Sequence, residues 1–427
     1  LGQGFPDFEG SAAARSAAAV ALADGNNSLN QYAPVAGLPE LTEAIADLHA
    51  EFYGVEQKPT GSPSLSRRLD PAREICVTSS GTEALYAATQ AFINPGDEVV
   101  LFTPCFPWYL SHVRLAGGVP VCVDLPPPSF SVSFSPATEA RVEAAFSSRT
   151  KMVVWNSPHN PTGRCSTPKD LDLISRLCQK HDVLCLADEV YENAVFPNEE
   201  EGAASSRGAA SSGGRHLKAS AVPGMWERTI TVGSASKLLG LTGWRVGWLI
   251  GPEALVKPAK MLHGYASFCA PTPLQKGCAA GIRQLVEEAR NGASGGDLSG
   301  RGRGAASSSL GRRLGDAWVR LAAALETIAG VSVCPAQGGY FLVADCTATG
   351  KTDFEFVDWL AGAAGIVAVP VSLFRPVEQQ MPAIADGAAT GERGLRRQLV
   401  RFAICKREGT ISEAVRRLAA LSEEVSK

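Results

Sequence analysis

Short runs of apolar residues recur through the first two-thirds of the chain, at 98–103, 151–155, 183–187, 229–232 and 246–250. Within each run apolar positions follow one another instead of alternating with polar ones. Alternation marks a strand wetted on one face, so near-continuous runs predict strands covered on both faces, as in a mainly parallel sheet. Segments of helical period lie between them. In 41–53, Leu41, Ala44, Ile45, Leu48 and Phe52 fall on one helical face, and 82–92 and 171–181 read the same way. Alternating strand and helix predict an α/β domain with a central sheet flanked by helices over residues 36–285.

Beyond it the order changes. Helical patterns at 314–325, 354–364 and 410–422 accompany strand patterns at 339–344 and 399–404. They predict a smaller α+β domain over 286–427, with the N-terminal segment 1–35 packing against it and against a second subunit. Three stretches, 198–215, 291–313 and 383–396, are rich in Gly, Ala, Ser and Arg and poor in large apolar residues. They read as surface insertions.

Composition narrows the function. At 427 residues the chain exceeds one ordinary domain, and 45% hydrophobic with 19% charged residues suits a soluble enzyme with a sizeable core. A net charge of −3 gives no electrostatic case for nucleic acid or an anionic membrane as partner. No apolar run is long enough to span a bilayer. The eleven cysteines form no C-x-x-C pair and the six histidines no H-x-x-H, which predicts reduced thiols and no metal site. Because the chain starts at Leu1 and not Met, a trimmed N-terminus is expected. The expected compartment is the cytoplasm, with the mitochondrion as the alternative.

Four segments carry candidate chemistry. In Thr231-Val-Gly-Ser-Ala-Ser-Lys237 a strand ends in small residues and a lysine, with Arg245 eight residues on. A lysine whose neutral form is accessible can form a Schiff base with an aldehyde, and burial or a nearby cation lowers its pKa toward that state. Serine hydroxyls and Arg245 suit a phosphate. Taken alone, though, a lysine after a strand is usually a solvated end. Asp188 closes the apolar run in Val183-Leu-Cys-Leu-Ala-Asp188, where open parallel sheets place ligands. It can pair with a protonated pyridine nitrogen or simply cap the next segment, and Tyr191 follows three residues on. Asn156-Ser-Pro-His-Asn160-Pro-Thr-Gly163 presents Asn160 from a proline-stiffened turn. Ser79-Ser-Gly81-Thr82-Glu83 opens a helix whose free N–H groups form an anion site. Phe106 can stack on a planar ring or fill the core.

In combination and order, these segments resemble the fold-type-I pyridoxal-5′-phosphate (PLP) enzymes. The resemblance is specifically to the kynurenine–oxoglutarate transaminase and cysteine-S-conjugate β-lyase family. Leu1-Gly-Gln-Gly-Phe-Pro-Asp-Phe8, Asn30-Gln-Tyr32, Pro223-Gly-Met-Trp-Glu-Arg228, Gly243-Trp-x-Val-Gly-Trp248 and Arg401-Phe402 extend the resemblance over nearly the whole chain. It implies a transaminase for neutral or aromatic L-amino acids and a 2-oxo acid, with a β-lyase side activity, working as a homodimer with shared active sites. Lys237 is implied as the Schiff-base lysine and acid–base, Asp188 as partner of the pyridine nitrogen, and Asn160 and Tyr191 as contacts of the ring oxygen. Gly81, Thr82, Ser234 and Arg245 are implied for the phosphate, with Tyr32 reaching across from the neighbouring subunit. Phe106 is implied as the stacking ring. Arg401, with the Gly4 N–H and Asn160, is implied for the substrate carboxylate.

The chain departs from the family in reading Ser-Gly-Thr at the helix start, where relatives often carry Gly-Ala-Tyr, and in placing Cys269 where they often carry histidine. Ser234-Ala-Ser-Lys237 also fits the S-x-x-K of β-lactam-binding serine enzymes, but the companion K-T-G appears only as Lys351-Thr352-Asp353. Two alternatives stand beside transamination: a chain that is primarily a C–S β-lyase, and a catalytically silent PLP-binding protein, against which the intact lysine, aspartate and arginine argue.

Overall fold

In the computed structural model, the described residues are all but 26–27, 54–67, 198–214, 293–308, 378–396 and 426–427. The insertion read at 383–396 therefore lies outside the described residues, as do 198–214 and 293–308 of the other two. Residues 309–313 belong to a helix.

The five apolar runs become the strands β2 (Glu98–Thr103), β4 (Thr150–Asn156), β5 (Leu184–Asp188), β6 (Thr229–Ser234) and β7 (Gly247–Ile250), joined by β1 (Ile75–Thr78) and β3 (Val119–Asp124). They form one seven-stranded sheet in the order β1-β7-β6-β5-β4-β2-β3. Neighbours from β6 to β3 run parallel, while β7 is antiparallel to both β6 and β1. Strands β1, β2, β6 and β7 are buried at every position, as continuous apolar runs require. In β4 only Lys151 is exposed, and the least covered strand is β3, an edge strand with Val119 and Asp124 exposed and Pro120 tolerated.

Helices α1 (Ala12–Leu22), α2 (Pro39–Tyr53), α3 (Gly81–Phe92), α4 (Trp108–Leu115), α5 (Pro136–Ala144), α6 (Pro168–His181), α7 (Ala235–Leu238), α8 (Glu253–Ala266) and α9 (Thr272–Gly292) accompany the large sheet. Helix α1 lies on α9, where a side chain at Gly277 would meet the Ala14 carbonyl at 2.6 Å. Helices α10 (Ser309–Leu325), α11 (Asp353–Ala364) and α12 (Glu408–Val425) pack around a second sheet. Its strands are β8 (Ser332–Val333), β9 (Phe341–Asp345), β10 (Val369–Pro370) and β11 (Leu399–Ala403), all antiparallel in the order β10-β11-β9-β8. The first residues join this sheet: the Leu1 carbonyl accepts from the Ala403 N–H at 2.6 Å. Tyr191 and Ala194 share an apolar cluster with Phe341, Phe402 and Leu418, so the two layers meet just beyond the end of β5. No described helix is long and apolar enough to cross a membrane.

Candidate active site

Register brings the C-terminal residues of neighbouring strands side by side, with Asn156 opposite Asp188 and Asp188 opposite Val232. Beyond these ends lies a cavity of about 440 Å³, bounded on its far side by Phe341 and Arg401 of the small sheet. This is where an open parallel sheet offers a ligand site.

Asp188 ends β5 and is 4% exposed. One carboxylate oxygen accepts from the Tyr109 hydroxyl and the other from the Val190 N–H at 3.3 Å. Burial pushes its carboxyl up to about 6 in spite of both donors. Tyr191 is buried next to it, its ring centre 5.1 Å from that of Tyr340.

Ser234 caps the four-residue helix α7 and so turns Lys237 into the cavity. Lys237 Nζ donates to the Gly4 carbonyl at 3.1 Å, and the Tyr340 hydroxyl donates to the Lys237 carbonyl at 2.9 Å. Burial lowers the Lys237 pKa to about 8, with Arg245 and Arg401 adding in the same direction against Cys405 and Asp188. The amine is therefore far more available as a nucleophile than an ordinary lysine.

Along one wall, Ser80 (φ 110°) caps α3 by accepting from the Glu83 N–H at 3.2 Å. Gly81 and Thr82 open that helix, where backbone N–H groups lack helical acceptors. A Cβ at Gly247 would sit 2.2 Å from the Gly81 nitrogen, so β7 and α3 meet backbone to backbone. Ser234, Ser236 and Arg245 line the cavity with them. The Ser236 hydroxyl is buried without a partner.

At the far end, Arg401 lies over the rings of Phe341 and Phe374, at 4.0 and 4.5 Å from their centres. It donates to Asn160 Oδ1 at 3.0 Å and to the Gly2 carbonyl at 3.2 Å, while its Nε is buried without a partner. Asn160 is held in turn by its own N–H bonding Asn156 Oδ1 at 2.8 Å. Phe106 lies flat on Trp108, ring centres 4.9 Å apart and planes 6° from parallel.

Every residue to which the resemblance gives a site role lines this one cavity except Tyr32. Tyr32 is 82% exposed and meets Phe268 edge-on at 5.0 Å. Tyr109 and Tyr340 also line or support the site and were not singled out for a role, and of the serine pair only Ser234 was. Ser236 was legible in the same short motif. Tyr109 was not, because its bond to Asp188 spans 79 residues.

Residues 1–381 match the family described as aminotransferase class I and II. The chain belongs to the class I and II aminotransferases. Human kynurenine–oxoglutarate transaminase 1 is 33% identical over 398 residues, covering 89% of this chain and 85% of the relative. The structure of YbdL from Escherichia coli, identified with a methionine aminotransferase function, superposes with a TM-score of 0.78 at 28% identity, covering 98% of this chain and 93% of YbdL. N-succinyldiaminopimelate aminotransferase from Mycobacterium tuberculosis does so with a TM-score of 0.76 at 32% identity, covering 99% of this chain and 92% of that one. Aminotransferases of this family and fold depend on PLP, and the cavity of this one fits the group. The free N–H groups of α3, the unpartnered Ser236 hydroxyl and Arg245 suit a phosphate. The buried Asp188 carboxyl offers itself to a cationic ring nitrogen, with Lys237 lining the same cavity.

Proposed function

We propose that this aminotransferase holds PLP through Lys237 and moves an amino group from a neutral or aromatic L-amino acid to a 2-oxo acid. When bound, PLP supplies an aldehyde for the donor amine and a ring that delocalises the electron pair left at the donor Cα. With the cofactor bound, Lys237 would accept the proton from the donor Cα and serve as the acid that returns it. Asp188 would pair with the pyridine nitrogen and keep it protonated, Asn160 and Tyr191 would bond the ring oxygen, and Phe106 would stack on the ring. Gly81, Thr82, Ser234, Ser236 and Arg245 hold the phosphate, joined by Tyr32 of a neighbouring copy in a homodimer. Arg401 grips the donor's α-carboxylate, helped by the Gly4 N–H and Asn160. A cysteine conjugate with a good leaving group on Cβ loses that group as the thiol once Cα is deprotonated, and water then releases pyruvate and ammonia.

The donor class rests on one observation. Among the described residues lining the cavity, the cations are Lys237, Arg245 and Arg401; Phe341 and Phe374 lie against Arg401, and Leu373, Val369 and Trp108 are among the other lining residues. A second donor carboxylate would meet no free cation, and leaving it unpaired costs several kcal/mol, each ~1.4 of which is tenfold in rate.

Phenylalanine, kynurenine, glutamine and methionine are therefore expected to exceed aspartate in kcat/KM by about a hundredfold or more. A half-reaction screen followed by absorbance tests this, with N-succinyldiaminopimelate, the donor named for the mycobacterial relative, and cysteine conjugates in the panel. Aspartate equal to or better than phenylalanine would overturn the donor class. Borohydride trapping of the cofactor on a peptide without Lys237 would overturn the linkage.

A further inference from the structure

The turn after β5 has two faces. Asp188 and Tyr191 line the cavity. Glu189 and Glu192, the residue after each, turn into a buried charged cluster behind it. Lys218, its side chain 3% exposed, lies with Nζ 2.8 Å from Glu189 Oε2 and also bonds Glu192. Its ammonium sits 4.3 Å from the centre of the Tyr53 ring on α2. His216 Nε2 is 3.2 Å from the same Glu189 oxygen, and the other Glu189 oxygen accepts from the Ala219 N–H at 3.0 Å. Burial, reinforced by Lys218, holds the nearby His49 at about 3, so it adds no charge at neutral pH.

The cluster is rigidly tied to the strand that carries the site. The Glu189 N–H donates to the Val232 carbonyl at 3.1 Å, and the Glu192 N–H donates to the Glu189 carbonyl at 2.9 Å. Burial alone would push the Glu189 carboxyl up, but Lys218 and His216 outweigh it and hold it at about 2. Lys218 Nζ hydrogen-bonds Glu192 and meets Glu189 Oε2 as an ion pair without a hydrogen bond, so moving any of the three groups away from the others leaves a buried charge uncompensated. Lys218 thus closes a brace across the turn, from the residue after Asp188 to the residue after Tyr191.

We propose that Lys218 is a positioning residue: by bridging Glu189 and Glu192 it fixes the turn whose other face aims Asp188 and Tyr191 at the cofactor ring. This rests on the reading that Asp188 and Tyr191 meet that ring. The test compares Lys218→Met, the milder Glu192→Gln and Lys218→Arg with the parent holoenzyme, using Asp188→Asn as a control. Cofactor affinity is read by titrating PLP into stripped protein, and the pH profile of the bound cofactor's visible band is followed. Lys218→Met is expected to weaken PLP and lower kcat by about tenfold or more, with KM changed less than about threefold and the visible pH profile displaced. Glu192→Gln is expected to do the same more weakly, and it decides the matter should Lys218→Met not fold. Lys218→Arg, which can still bridge two carboxylates, should recover part of the loss. Lowered melting temperatures with unchanged PLP affinity, visible profile and kcat would make the brace merely structural and overturn the proposal. If Asp188→Asn itself leaves the visible profile unchanged, the underlying reading of Asp188 fails instead.

Discussion

Asp188 shows how one buried group sets the behaviour of a site. A carboxyl raised from 3.8 to about 6 binds its proton more tightly in the native than in the unfolded chain. Its contribution to stability is full below about pH 4 and is lost as pH rises through 6, a swing of about 3 kcal/mol. Cofactor-free Asp188→Asn is therefore expected to melt above the parent at pH 8, with the gap narrowing toward pH 5. Tyr109→Phe should do the reverse. Removing a hydroxyl that donates to a carboxylate costs about 1.5–3 kcal/mol, felt at pH 8 and little at pH 5. Calorimetry at the two pH values checks both, and parallel melting shifts at the two would contradict them. Lys237 carries a kinetic counterpart. With its pKa near 8, the rate at which stripped protein captures PLP should rise with a midpoint near pH 8. A stopped-flow midpoint near 10.5, the value of an ordinary lysine, would rule this out. None of these values was legible in the sequence. Lys237 and Asp188 stand out there as residue types after strand-like runs, but their shifts come from burial, and the Tyr109 hydroxyl arrives from 79 positions away.

At the level of elements, reading apolar runs works where a strand is covered on both faces and fails at the rim. Strand β2 has the bounds its pattern predicts, and β4 and β5 shift by a residue at one or both ends. Strand β3 left no run, because an edge strand mixes Pro120 and exposed Asp124 with its valines. Helix α6 begins three residues ahead of its periodic pattern, since Thr167 and Asp170 form a capping box around Pro168. The backbone contact of β7 with α3 was equally invisible, and it can be tested. Gly247→Ala would drive a methyl to within 2.2 Å of the Gly81 nitrogen and force the start of α3 aside. The variant is expected to lose about tenfold or more in affinity for PLP, while affinity for pyridoxal, which lacks the phosphate, changes less. Equal losses for both ligands would mean that the glycine serves the fold and not the phosphate end.

For the whole molecule, Tyr32 is the residue that the cavity of its own chain leaves out. If it completes the phosphate site of a second copy, mixing Tyr32→Phe with Lys237→Ala chains should regenerate one intact site in each hybrid dimer. No recovery of activity, with subunit exchange confirmed and Tyr32→Phe itself impaired, would exclude sharing.

The large sheet carries Lys237 on the short excursion between β6 and β7, with Arg245 eight residues further along the same excursion. Arg401 belongs to β11 in the other sheet. The two ends of the proposed chemistry are therefore mounted on different sheets. Were one layer to slide over the other, the grip on whatever is exchanged at each turnover would loosen while the grip on what must stay held, so the visitor could depart and the resident tool remain in its socket.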